Sequence, residues 1–86
     1  MMISCQVALY PLATKEFDQV IVEALDAVKP LKEEGLTIEV GSMSTIFKGP
    51  DDLVWKAVRL LFDTAKQNGQ QIVLNTQISN ECGCDL

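Results

Sequence analysis

"IVLNTQIS", residues 72–79, is a strand with two unlike faces. Ile72, Leu74, Thr76 and Ile78 alternate with Val73, Asn75, Gln77 and Ser79, and a period of two is what a half-buried β-strand requires. The second face is polar yet uncharged, where a strand face meant only for water ordinarily recruits Lys, Glu or Arg. Amides suit recognition as well as solvation. This strand is the last element of the pattern, so what precedes it decides the sheet it joins.

The opposite end of the chain supplies a similar strand. "ISCQVALY", residues 3–10, sets Cys5, Val7 and Leu9 against Ser4, Gln6, Ala8 and Tyr10, and ends at Pro11. Thr14 is then expected to cap a helix whose apolar stripe is Phe17, Val20, Ile21, Ala24, Leu25, Val28 and Leu31. Pro30 falls inside that pattern, where it removes a backbone donor and clashes with the preceding turn. The helix should kink or end near Lys29, with an extra turn reaching Gly35.

"LTIEV" and "MSTIFK" read as short strands separated by Gly41 and Ser42. Glycine at the first central position predicts a two-residue type II′ hairpin between them. Gly49-Pro50 stops the second strand. A helix follows, with Asp51 and Asp52 at its positive end and Val54, Ala57, Val58, Leu61 and Ala65 on its inner face. Asn68-Gly69 closes it.

The order strand, helix, hairpin, helix, strand places the chain in the α+β class as a ferredoxin-like βαββαβ fold. A four-stranded antiparallel sheet should carry both helices on one face. Its other face is then uncovered and should hold Gln6, Ala8, Tyr10, Asn75 and Gln77. One domain is expected over residues 1–86, with a flexible tail from about residue 80. A domain of this length buries only about 60–65% of the surface its unfolded chain exposes, so a partner chain would help it.

Charge narrows the partners. A net charge of −5, with seven scattered Lys and Arg, argues against nucleic acid and against anionic membrane surfaces. No apolar run approaches the roughly 18–20 residues that span a bilayer, so no membrane insertion is expected. "MMISCQVALYP" carries neither a basic leader nor a small-residue cleavage site, which makes the cytoplasm the expected compartment. Three cysteines in a reducing compartment do not make a disulfide framework, and Cys5 belongs in the core.

Catalytic chemistry finds little to work with. There is no histidine, which removes the usual general base near neutral pH, the commonest metal ligand and all Ser-His or Cys-His nucleophiles. The carboxylate pairs Asp51-Asp52 and Glu33-Glu34 fit a helix start and an exposed turn. Five isolated glycines form no phosphate loop, and the only arginine, Arg59, sits in mid-helix rather than in a phosphate cradle. The aromatic, basic strand signature of RNA-binding sheets is absent. Cys82 and Cys84 in "ECGC" supply half of a tetrahedral site, so a reduced thiol tail without metal is expected unless dimerisation brings four ligands together. Trp55 and Phe62, seven apart, share one side of the second helix as an edge of the core or as an aromatic platform.

"SCQVALYPL", "FDQVIVEALDAV", "MSTIFKGPDDLVWKAVRLLF" and "QQIVLNTQIS", in that order, resemble the domain of the YkoF-like family, which binds thiamine and hydroxymethylpyrimidine. The resemblance covers nearly the whole chain, and "ALYP", "ST" and "IVLN" are its most specific pieces. It implies a ferredoxin-like domain that holds the aminopyrimidine part of thiamine without acting on it and without a cofactor. A tandem of two such domains in one chain makes this chain equivalent to one half, and implies a homodimer or homotetramer. "PLKEEG" after the first helix departs from the family pattern.

The residues alone lead to a compatible site. An aminopyrimidine is flat and presents an exocyclic donor beside ring acceptors, which a side-chain amide matches on one edge. Gln6, Asn75 and Gln77 are such groups, with Ala8 between them. Tyr10 is placed to stack on a ring, while Ser44 and Thr45 offer hydroxyls from the neighbouring strand. The competing use of the same side chains is a polar subunit interface. Three function classes follow: a thiamine-type binding protein for uptake, salvage or carriage; a ligand-sensing regulatory module built from paired ferredoxin-like domains; and an enzyme, for which no catalytic base is in sight.

Overall fold

The computed structural model describes residues 1–80. Cys82, Cys84 and residues 81–86 of the expected tail lie outside the described residues. The elements are β1 (Met2–Pro11), α1 (Phe17–Val28), a 3₁₀ turn (Lys29–Glu34), β2 (Thr37–Val40), β3 (Thr45–Pro50), α2 (Asp51–Ala65), a second 3₁₀ turn (Gln67–Gly69) and β4 (Ile72–Ser79). The strands pair antiparallel in the order β2-β3-β1-β4. This is the ferredoxin-like α+β arrangement that the element order predicts.

Alternation along the strands decides what the helices cover. Ile3, Cys5 and Val7 of β1 and Phe47 of β3 are buried, whereas Gln6, Tyr10, Asn75 and Gln77 are exposed. The buried side meets Ala24 and Val28 of α1, Leu31 of the 3₁₀ turn, and Leu53, Val54, Ala57, Leu61 and Ala65 of α2. Phe47 is fully enclosed at the centre, a burial worth on the order of 2–3 kcal/mol relative to exposure. The helices thus occupy one face and leave the other to solvent.

Local chemistry sets the ends of α1. The helix stops at Val28, and Pro30 falls in the first turn of the following 3₁₀ segment, where its missing N–H was an orphan anyway. Gly35, at φ 112°, then turns the chain left-handed into β2, with its N–H bonded to Lys32 O at 3.2 Å. At the other end Thr14 does not cap α1 as expected. Its hydroxyl accepts the Glu16 N–H at 3.1 Å in a tight turn, and the helix begins at Phe17 with Glu16 at the capping position. Phe17, expected in the core stripe, is about half exposed at the first position of the helix.

The hairpin also departs from expectation. Val40 faces Thr45 in the ladder and Gly41 donates to Ser44 O at 2.8 Å, so the two residues at the tip are Ser42 and Met43 rather than Gly41 and Ser42. Neither tip residue has a positive φ, which excludes the type II′ geometry. Gly41 serves close approach instead: a Cβ there would lie 3.0 Å from the Ser44 carbonyl oxygen. Asp51 and Asp52 do open α2, their carboxylates accepting the Asp52 and Leu53 N–H groups at 2.9 Å.

Candidate functional site

The sheet contains a step beside β1. Its ladder with β3 runs from Met2↔Pro50 to Val7↔Thr45 and ends, while its ladder with β4 continues to Pro11↔Ile72. From Ala8 onward β1 therefore has a neighbour on one side only. Residues of the hairpin tip line this step, and two hollows open there, one on each side of the sheet.

The inner hollow is a cavity of about 140 Å³ between β1, α1, α2 and the tip. Val7, Leu9, Ile21, Leu25 and Leu61 give it apolar walls. Ser42, Ser44 and Thr45 bring hydroxyls to its rim. Thr45 lies here because it pairs with Val7 and shares that residue's inward face. At 7% exposure it is off the open face, on the opposite side of the sheet from the amides with which it was grouped.

The outer hollow, of about 300 Å³, lies on the uncovered face. It brings together Gln6, Ala8, Tyr10, Ser44, Asn75 and Gln77, with Met43 at its edge. Register explains the grouping: Gln6 faces Gln77 and Ala8 faces Asn75 across β1 and β4. The small Ala8 side chain leaves room beside the Asn75 amide. Ser44 sits in the hairpin end rather than within β3, and with Ala8 and Met43 it lines both hollows. Neither lining includes a charged side chain, so shape, stacking and neutral hydrogen bonds are what this region can offer. The cavity walls and Met43, which is 88% exposed, escaped sequence reasoning because they depend on where one ladder stops.

Other chemistry-bearing groups lie elsewhere. Cys5 is enclosed in the core, and burial raises its thiol from the ordinary 9.0 to about 11. The Arg59 guanidinium, 3.0 Å from Asp63 Oδ2, holds that carboxyl below its usual range on the outer side of α2. Trp55 is about half exposed, and Phe62 carries the Lys66 ammonium 5.1 Å from its ring centre. Among the described residues no three His, Cys, Asp or Glu side chains are grouped to hold a metal ion. No helix of the described residues is long and apolar enough to cross a membrane.

The pattern of the YkoF-related family matches residues 2–85. The chain belongs to this family. Solved structures similar to this YkoF-related chain repeat its architecture. A Streptococcus pneumoniae protein superposes with a TM-score of 0.81 at 20% identity, over 94% of this chain and 88% of that one. A domain of unknown function from Bacillus cereus gives 0.77 at 20% identity, over 94% and 77%. A candidate thiamine biosynthesis or salvage protein from Thermotoga maritima gives 0.74 at 21% identity, over 96% and 87%. At these identities the likeness establishes the ferredoxin-like fold. No curated protein matches the chain.

Proposed function

We propose that this YkoF-related chain is a non-enzymatic binding protein for thiamine or its hydroxymethylpyrimidine moiety, serving uptake, salvage or carriage in the cytoplasm. The observation that carries this reading is the meeting of a ring-sized apolar cavity with an amide-lined hollow at Ala8, Met43 and Ser44. Thiamine joins a flat aminopyrimidine to a second ring through one carbon. A ligand of that shape matches two adjoining hollows.

In this reading Gln6, Asn75 and Gln77 donate and accept along the ligand, Tyr10 offers a stacking face, and Ala8 makes room. Ser44 and Thr45 contribute hydroxyl contacts from the rim. The absence of a histidine in the sequence and of charged groups around both hollows favours binding over acid–base chemistry. The salvage role named for the Thermotoga maritima structure points the same way.

Assembly as a homodimer or homotetramer belongs to the proposal. β4 is an edge strand of eight residues that carries no charge and no proline, whereas β2 at the other edge has four residues and carries Glu39. Natural edges are normally blunted, so β4 and the open face beside it are where a second copy docks. Calorimetric titration with thiamine, thiamine monophosphate and hydroxymethylpyrimidine tests the function. One ligand per chain, recovered unchanged, is expected; no heat of binding at millimolar ligand overturns the reading.

A further inference from the structure

The main chain at the step has a definable polarity. Leu12 N–H donates to Gln71 O at 2.8 Å, one position beyond the Pro11↔Ile72 pair, so the even-numbered residues of β1 point their N–H and C=O groups at β4. The odd-numbered residues then point toward β3. Asp51 N–H, which donates to Met1 O at 2.9 Å, agrees with that phase. Val7 is the last odd-numbered residue with a β3 partner.

Leu9 comes next. Continuing the register would set Met43 opposite it, but the hairpin closes on itself there through the Gly41–Ser44 bond. Among the described residues no backbone hydrogen bond joins Leu9 to the tip. Pro11, the following odd position, has no N–H to offer. Leu9 also lines the apolar cavity, and by the phase of the ladder its N–H and C=O point to the side that β3 leaves open. Backbone groups without a protein partner take a hydrogen-bonding partner from elsewhere, water or a ligand.

We infer that the free main-chain edge of Leu9 recognises the heteroaromatic ring of the ligand, which enters the cavity and takes the place that β3 leaves open. The inference rests on the binding function above and assigns its ring to particular atoms. An apolar cavity of roughly 150 Å³ accepts one benzene-sized ring, and the volume here is about 140 Å³. The chemical class is a planar heteroaromatic with a donor and an acceptor on one edge, the donor bonding Leu9 C=O and the acceptor receiving Leu9 N–H. Aminopyrimidines belong to it. The substituent that joins the two halves of thiamine then leaves past Ser44 toward Asn75 and Gln77. Reading by the main chain also explains why side-chain motifs alone do not reveal the site.

The experiment titrates ¹⁵N-labelled protein with hydroxymethylpyrimidine and with its desamino analogue. Binding should move the Leu9 amide resonance and slow its hydrogen exchange, and the desamino compound should bind about 5- to 150-fold more weakly because Leu9 C=O loses its donor. Ile21→Phe, which fills the cavity, should abolish binding while the spectrum stays folded. Binding that leaves Leu9 unmoved and shifts only the Asn75 and Gln77 side-chain amides overturns the inference and leaves the binding function standing. Unchanged affinity in a folded Ile21→Phe protein also overturns it. Failure of both compounds to bind overturns the function and the inference together.

Discussion

Val7 and Thr45 form the last pair of the β1–β3 ladder, although β1 runs on to Pro11 against β4. That stopping point creates the step and leaves the β3 side of Leu9 open beside a cavity, while the pairing with Val7 itself keeps Thr45 on the inward face. Thr45→Val tests the inward hydroxyl. Stability should stay within about 1 kcal/mol by urea unfolding, while ligand affinity falls by roughly 2- to 12-fold, the value of one hydrogen bond. Equal affinities by calorimetry would remove Thr45 from the site.

The core prediction contrasts two aromatics. Phe47 is fully buried and Tyr10 is 51% exposed. Phe47→Ala should cost about 3–5 kcal/mol, enough to unfold much of a small domain. Tyr10→Ala should cost less than about 1 kcal/mol and act on ligand binding instead. Urea midpoints that place the two variants together would contradict the packing described.

Periodicity made the sheet legible: the alternation in residues 3–10 and 72–79 named both faces correctly, and Pro30 with Gly35 marked the end of α1. Register is a different kind of information. The pairing of Val40 with Thr45 moves the hairpin tip to Ser42–Met43, and the pairing of Thr45 with Val7, two residues from inward Phe47, puts its hydroxyl on the helix side. The Thr14 cap failed for a related reason, since the side chain satisfied a nearer N–H in its own turn. Amides on the open face could be read from sequence, but a cavity walled by Ile21, Leu25 and Leu61 is formed by three elements meeting.

Self-association should appear by light scattering as a homodimer or homotetramer at micromolar concentration. Gln77→Arg places a charge on the uncharged β4 strand beside Gln6, where an unpaired charge in a contact costs a few kcal/mol, and should shift the protein toward monomer. Glu39→Arg on the β2 edge should leave the mass unchanged. A monomer in the unmodified protein would end the assembly proposal.

Cys5 makes stability fall at alkaline pH. Its thiol ionises near 9.0 when unfolded and near 11 when folded, so between those values the folded state binds more protons than the unfolded state. The contribution is complete below pH 9 and is lost as pH rises through 11, up to about 2–3 kcal/mol. Urea unfolding at pH 8 and pH 10.5, in a background with Cys82→Ser and Cys84→Ser, measures it. Cys5→Val should flatten the difference, and an equally steep loss in that variant would place the titrating group elsewhere.

The amide strand carries the last prediction. Asn75 faces Ala8 and Gln77 faces Gln6, so two substitutions on neighbouring rungs report on one hollow in different ways. Asn75→Leu or Gln6→Leu removes a hydrogen-bonding edge and should weaken thiamine by about 5- to 150-fold, since ligand groups are left unpaired. Ala8→Leu keeps every amide but fills the space beside Asn75 and should weaken it by steric exclusion alone. The net charge of −5 assists encounter with cationic thiamine only modestly, because salt screens beyond about 8 Å, so all three effects should persist in high salt. Hydroxymethylpyrimidine should compete with thiamine, and the thiazole alcohol alone should not. Competition by the thiazole alcohol at the same concentration as the pyrimidine would mean that the pyrimidine does not dominate recognition, and the pyrimidine assignment would have to be given up.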